Sequence, residues 1–530
     1  MPPVIVPIVA PLLVSLGVGG IAALEIAIAV GTGLAALTSP IGLTVLSVGL
    51  SIGANALARS SLSDKGKVGA GVNAADIRLN TRQEVPAQRW VYGEVLIGGP
   101  LFFEEAIGKK YYQGFLWSEG PISSVEAIYN TQERIVFNDI PFNTILTPST
   151  NLVDGPPYQA NVRLSVRRGL LSQPVDPLLA AAFPALPAAT FRQRGVATLV
   201  FEADSGATFA QFEQMWGSAR RPNPIARIRG VPVYDPRDGT QRLPIDPDDP
   251  EDLEDARLTW KWSNNASLVI ADYLWRRNGG RIPLTSMHWD RIAKSATYDD
   301  SLIGTRDGRL IPRHTIDGVV TAGQNPTTII QSMLTANRGF VCRQQGRVWV
   351  QSSMPLKPVL TVTDDMIIGA LEYRRAAPKR TLLNRVRSRF IDPRQAWTTV
   401  DGPIIDRPDL RALDGDLYEA TVDLMWTADH RRAQRLQKAF LADSRLGRTI
   451  QTTLAIDAAI GLEAGDVVRF DSRTLPRING LYRIGELGLA LEQGLSGLTL
   501  SCAEYDPSIE QDWDPTVDEQ PYELPDLEAS

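Results

Sequence analysis

Cysteine is nearly absent: Cys342 and Cys502 are the only two in 530 residues. So few thiols exclude a disulfide scaffold, and they read as unpaired structural residues in a chain assembled in a reducing compartment. Histidine is also scarce. His288, His314 and His430 stand far apart, with no H-x-x-x-H spacing and no partnering cysteine motif, so no zinc site is expected. No P-loop occurs, and no cofactor is expected. Excess positive charge is missing too. The formal net charge is −6, which argues against a protein built to grip nucleic acid. The pattern G-x-S-x-G around Ser51 lies inside an apolar run rather than at a strand-to-helix elbow, and is read as chance.

The most local absence is charge in residues 4–57, where Glu25 is the single ionisable side chain. Pro40 breaks this run, because the residue before a proline avoids the helical region. Two or more apolar helices are expected, each near the ~20 residues that span a bilayer. Gly49 and Gly53 form a small-xxx-small pattern that allows close helix packing. A basic n-region is missing, so a signal peptide is not favoured. Two readings of residues 1–60 remain: a membrane anchor, or an apolar bundle buried in an assembly and released later. Residues 61–75 are polar and Gly-rich, as in a flexible linker.

Beyond the linker the composition is ordinary, with 44% hydrophobic residues and a length that suits three or four domains. Residues 76–245 alternate in the manner of strands, with turns at Gly93 and at Gly98 and Gly99, and read as a mostly antiparallel β domain. Residues 227–234 form a strand closed by a turn at Asp235 and Pro236. Asp235 is expected to make an Asx-turn or to pair with Arg237. Residues 246–255 hold seven acids in ten. They lack the glycine and ligand spacing of a calcium loop and read as a solvated acidic loop. Asn264 or Asn265 caps a helix that carries Leu268, Val269, Asp272 and Leu274. Residues 246–375 read as α+β, with a helix from Thr327 and a hairpin around Gly346. Residues 376–503 return to strands around a helix at 427–446. Residues 504–530 hold ten acids, four prolines and no Lys or Arg, as expected of an extended tail, partly disordered or laid along a neighbour.

Several strings, taken in order, carry a family resemblance. Arg82, Pro86, Arg89, Val91, Tyr92, Gly93, Val95, Gly98 and Gly99 open it. Tyr234, Asp235, Pro236 and Arg237 follow, then the W-S-N-N run through Asn264 and the G-x-V-x-x-x-x-G-x-x-W hairpin. Asn384 starts an N-x-V-x-S-x-F-x-D-P strand, and Gly465 and Asp466 begin a G-D-V-V strand. This order resembles the central hub, or tip attachment, protein of long-tailed bacteriophages, the J-type family. Ser388 and Phe390 depart from its Val and Tyr.

The resemblance implies an α+β, mostly β fold with tube-like antiparallel β-barrel domains and smaller α+β domains. It implies a homotrimer that closes the tail tube, with no enzyme activity. Implied partners are distal tail and tail tube proteins, other tip or receptor-binding proteins and fibres, and the host envelope, with its inner membrane as the deepest. DNA would pass without specific binding. Receptor contact would be delegated to other proteins, since no long receptor-binding region follows the last strands. The competing class is a membrane-anchored envelope protein, as a hydrolase or pore-former.

Overall fold

A computed structural model describes residues 77–522, apart from 84, 132, 150–155, 188–190, 218–220, 377–380, 493–494 and 512. Glu25, Pro40, Gly49, Ser51 and Gly53, and with them the expected apolar helices, lie outside the described residues. No described helix is long and apolar enough to cross a membrane.

Two antiparallel sheets make the first part. One runs Leu101–Ile107, Lys110–Glu119, Val196–Asp204, Val162–Arg167 and Ile145–Leu146, each strand bonded to the next. The other runs Glu94–Ile97, Pro224–Arg229, Ser124–Asn130 and Glu133–Ile135. Alternate residues of both, such as Leu96, Ile128, Leu164 and Phe201, meet in one core. Period-2 alternation therefore has its expected cause, two sheets each burying one face.

The middle part is helical around a short ribbon. Arg89–Tyr92 pairs antiparallel with Gly318–Thr321, setting Tyr92 opposite Gly318. Around it pack the helices Pro250–Thr259, Ala266–Trp275, Trp289–Asp299 and Pro326–Leu334, and the hairpin of Phe340–Gln344 with Arg347–Gln351. The Ala266–Trp275 helix is buried on every face, which explains its nearly continuous apolar sequence.

The last part holds a six-stranded sheet ordered Leu360–Val362, Val467–Phe470, Gly480–Glu492, Leu495–Glu504, Thr449–Ala455 and Glu372–Arg374. Beside it, Arg385–Asp392 pairs with Thr398–Asp401, Ile405–Asp406 and, in parallel, Glu419–Leu424. The amphipathic His430–Arg445 helix covers this smaller sheet, with Leu436 and Phe440 against Phe390 and Leu424.

The fold is mostly β, as expected, but two local expectations fail, and the tail shows where it is held. Closed barrels are not formed among the described residues. The six-stranded sheet ends in two unpaired edges, because its outer strands are only three residues long and bond on one side. The acidic run 246–255 is not all loop. Asp249 accepts from the Glu251 amide and Pro250 opens a helix, whose positive N-terminus suits Glu251 and Asp252. The acidic tail, through Tyr522, lies on its own chain. Its anchors are Arg338, Arg306, Lys438 and His430, all distant in sequence.

Candidate functional site

The motif residues are placed at joints between the parts of the fold, and the first joint is the ribbon. Because side chains alternate along a strand, Trp90 and Tyr92 enter the middle core while Val91 enters the first core. Val319 and Val320 divide in the same way on the partner strand. Arg89 starts this ribbon, opposite Thr321. One two-stranded element is thus shared by two cores.

Gly93 follows at φ +65°, in the left-handed region. A Cβ there would meet Asp317 Oδ1 at 2.3 Å and the Ile316 carbonyl at 2.3 Å, so only glycine fits. The Gly93 carbonyl accepts from the Gly230 amide at 2.8 Å and from Trp262 Nε1 at 3.3 Å. Asp317 Oδ1 accepts from the Glu94 amide at 2.9 Å and from Asn264 Nδ2 at 3.1 Å. Burial pushes the Asp317 carboxyl above its ordinary pKa, and these donors oppose that rise. Asn264 is therefore the joint residue. Asn265 is the helix cap, accepting from the Leu268 amide at 3.2 Å.

Tyr92 completes the joint by donating to Asp272 Oδ2 at 2.6 Å, which also accepts from Arg276 Nε at 2.9 Å. All three are buried. Burial opposes the Arg276 charge, but Asp272 holds its pKa above the ordinary value. Removing either ionic partner would strand a charge out of water. Gly98 and Gly99 serve the same end of the molecule, where the Arg78 and Leu116 carbonyls approach their Cα atoms too closely for a side chain.

Tyr234, Asp235, Pro236 and Arg237 form a separate staple. The Arg237 amide donates to Asp235 Oδ1 at 2.9 Å, giving the Asx-turn. The guanidinium grips the same carboxylate at 2.8 and 2.7 Å, and its Nη2 also reaches Asp300 at 2.8 Å. Both bland expectations for Asp235 hold together. The Tyr234 ring packs edge-on against Trp289 at 5.0 Å, so the staple fixes both ends of the Trp289–Asp299 helix.

Asn384, fully buried, donates to Asp414 Oδ2 at 3.0 Å and to the Asp416 carbonyl at 2.8 Å, and accepts from the Tyr418 amide at 2.9 Å. It pins the 414–418 loop to the strand it begins. Ser388 lies against Gly402, where an added Cβ would meet its Oγ at 2.4 Å.

Gly465, at φ +92°, lies against the Phe340 ring. Its loop docks on the hairpin: Gln344 Nε2 donates to the Leu462 carbonyl at 3.1 Å, and the Ala464 amide returns a bond to Gln344 Oε1 at 2.9 Å. Asp466 accepts from the Glu463 amide at 2.9 Å and lies 3.9 Å from Arg291, which also pairs with Glu463. This is the joint between the middle part and the six-stranded sheet.

Other joint residues carried no motif signal. Arg338 bonds Glu510 at 2.7 Å and pairs with Asp443. Asp299 gathers Ser267 Oγ at 2.5 Å, Ser352 Oγ at 2.5 Å and His314 Nδ1 at 2.7 Å. Burial lifts Asp299 to about 6 and depresses His314 well below its usual range. A Ser–His–Asp set invites comparison with a hydrolase. Here Ser352 and Asp299 both approach Nδ1, whereas a triad needs the serine on the other ring nitrogen, and all three groups are sealed from solvent. Asp272, an acid inside an apolar helix, was the one sequence signal for such buried partners.

Cys342 and Cys502 are free and buried, and burial raises both thiol pKa values. Among the described residues no group of His, Cys, Asp and Glu is placed to hold a metal ion.

Comparisons with known proteins follow this geometry. Residues 325–487 match the family described as putative phage tail protein. No curated protein matches the chain. Among solved structures, a chain from the virion of a native gene transfer agent particle is similar at 17% identity and a TM-score of 0.57. The match covers 93% of this chain and 98% of that one. A 43 kDa tail protein of prophage MuSo2 from Shewanella oneidensis matches at 8% identity and TM-score 0.29, over 80% of this chain and 100% of that one. A tail protein from Neisseria meningitidis MC58 matches at 10% and 0.31, over 82% and 97%. The chain shares its fold with the gene transfer agent component, and the matched region supports a place in the tail of a phage-like virion.

Proposed function

We propose that this chain is the J-type hub of a tail tip, in a phage or a phage-like particle. Three copies form a ring that closes the distal end of the tail tube, docks other tip and receptor-binding proteins and fibres, and opens for DNA to pass. The work is mechanical rather than chemical. What carries the reading is where the motif residues go. Tyr92, Gly93, Asn264, Gly465 and Asp466 hold parts of the fold together, and Asn384 pins a loop to its own strand. A body meant to bear load and transmit contact needs such joints, and an enzyme would place some of these groups in an open cleft. The tail-protein match and the virion likeness support the same reading.

Three protomers contributing two sheet-rich parts each would give a pseudo-sixfold ring that continues a hexameric tube. A net charge of −6 suits a channel that must not hold DNA by counterion release. Residues 1–60, with Glu25, Gly49 and Gly53, would plug the lumen or enter a host membrane, and the linker would give them freedom. Light scattering of the full chain in mild detergent tests the assembly. Three times the protomer mass is expected, and a clean monomer at high concentration overturns the ring.

A further inference from the structure

One cavity, of about 870 Å³, is used by none of the joints. It opens beside the edge strand Glu372–Arg374, which bonds to Thr449–Ala455 on one side only. Three arginines, Arg375, Arg448 and Arg477, share its wall with a larger set of apolar residues that includes Leu371, Tyr373 and Leu475. Arg448 is matched by Glu504 at 2.6 Å. Arg375 and Arg477 are exposed and have no carboxylate partner among the described residues, while the Tyr373 hydroxyl, at 3.1 Å from the Arg477 carbonyl, fixes the loop that carries Arg477. Unpaired guanidiniums are preorganised forks for carboxylate or phosphate. The volume is that of a pocket for a segment rather than for one small ion. Leu371 and Leu475 favour a ligand with apolar side chains between its charges, which a nucleic-acid backbone does not offer.

The chain holds such a sequence. Residues 523–528 read Glu-Leu-Pro-Asp-Leu-Glu, acids interleaved with leucines. We propose that this acidic segment of a second copy docks in the pocket, with its carboxylates on Arg375 and Arg477 and its leucines on Leu371 and Leu475. The same copy's segment begins at the far end of a helix from the pocket. Tyr522 stacks on His430 at the N-terminal end of the His430–Arg445 helix, whereas Arg448 lies just past the other end. At about 1.5 Å per residue those 16 residues span roughly 24 Å. Six fully extended residues span about 20–22 Å, so the same copy's segment would have to run straight along the helix to touch the rim, a limit that a second copy's segment does not meet. The proposal assumes neighbouring copies, as in the ring, but recognition itself is tested apart from assembly.

A fluorescent peptide of residues 519–530 is titrated against the full chain, against R375E/R477E, and beside a peptide with E523Q, D526N and E528Q. Saturable binding is expected, weakened at least tenfold by either set of changes and by high salt. No saturable binding, equal binding by the variants, or displacement by a short single-stranded oligonucleotide with no peptide preference overturns it. In parallel, full chains carrying L475C are co-assembled with chains carrying L527C and oxidised. A linked pair of chains is expected. Linkage only within one chain carrying both changes, or none at all while light scattering shows association, overturns the second-copy assignment.

Discussion

The ribbon joint and the C-terminal strap hold the same molecule together by opposite means. At the ribbon, close backbone approach at Gly93 and hydrogen bonds to the buried Asp317 and Asp272 lock the two parts together. Past the buried Arg338–Glu510 pair, along residues 514–522, half-buried contacts such as Lys438–Asp518 and a ring stacked on His430 hold the strap to the surface. Packed joints of the first kind resist opening up to the global stability, whereas surface straps release locally. The proposed hub role calls for both: a frame that does not yield, and an element that can be exchanged or displaced.

The difference is sharpest under substitution. Asp272→Ala should break the frame. It strands Arg276 out of water, and a loss of about 3–5 kcal/mol is expected from uncovering a buried charge. Chemical denaturation followed by tryptophan fluorescence measures it. Gly93→Ala comes next, at about 2–4 kcal/mol, from a left-handed φ and a Cβ driven into Asp317. If Gly93→Ala leaves the melting temperature unchanged, the ribbon is not the rigid element. Gly465→Ala, against the Phe340 ring, should cost about 1–3 kcal/mol for the same two reasons. It should loosen the six-stranded sheet from the middle part, seen as faster hydrogen exchange in residues 461–466.

The strap should answer to pH instead. Burial lowers His430 to about 4, while the unfolded side chain titrates near its usual 6.5. The stability it contributes is therefore complete above about 6.5 and lost as pH falls toward 4. Acidification from pH 7 to 4.5 should lower the melting temperature by roughly a few degrees, with the buried His314 acting in the same direction, and His430→Phe, which keeps a ring for Tyr522, should remove the strap's share of that slope. The smallest effect belongs to Lys438→Ala. An ion pair of this exposure is worth under about 1 kcal/mol, so the global melt should not move while protease cuts residues 505–522 faster.

The same contrast governs what the sequence could tell. Local chemistry was legible: the Asx-turn at Asp235, the strand alternation, the turn at Gly93 and the helix after Asn264 and Asn265 all depend on neighbours within a few residues. The acidic run misled because its charge was read before its Asp249–Pro250 start signal. The joints were illegible in their partners. Tyr92 meets Asp272 across 180 residues, and Glu94 meets Asp317 across 223. No periodicity reports such a meeting, and the string could mark one half only. The tail's attachment was illegible for the same reason, since Arg338, which holds Glu510, gives no sign of it in the sequence.

Electron microscopy of the purified full chain in mild detergent tests the central claim most directly. A threefold ring around an open or plugged channel is the predicted result. Dispersed single copies at concentrations where tail proteins assemble would contradict the hub and leave only a jointed tail component of another kind.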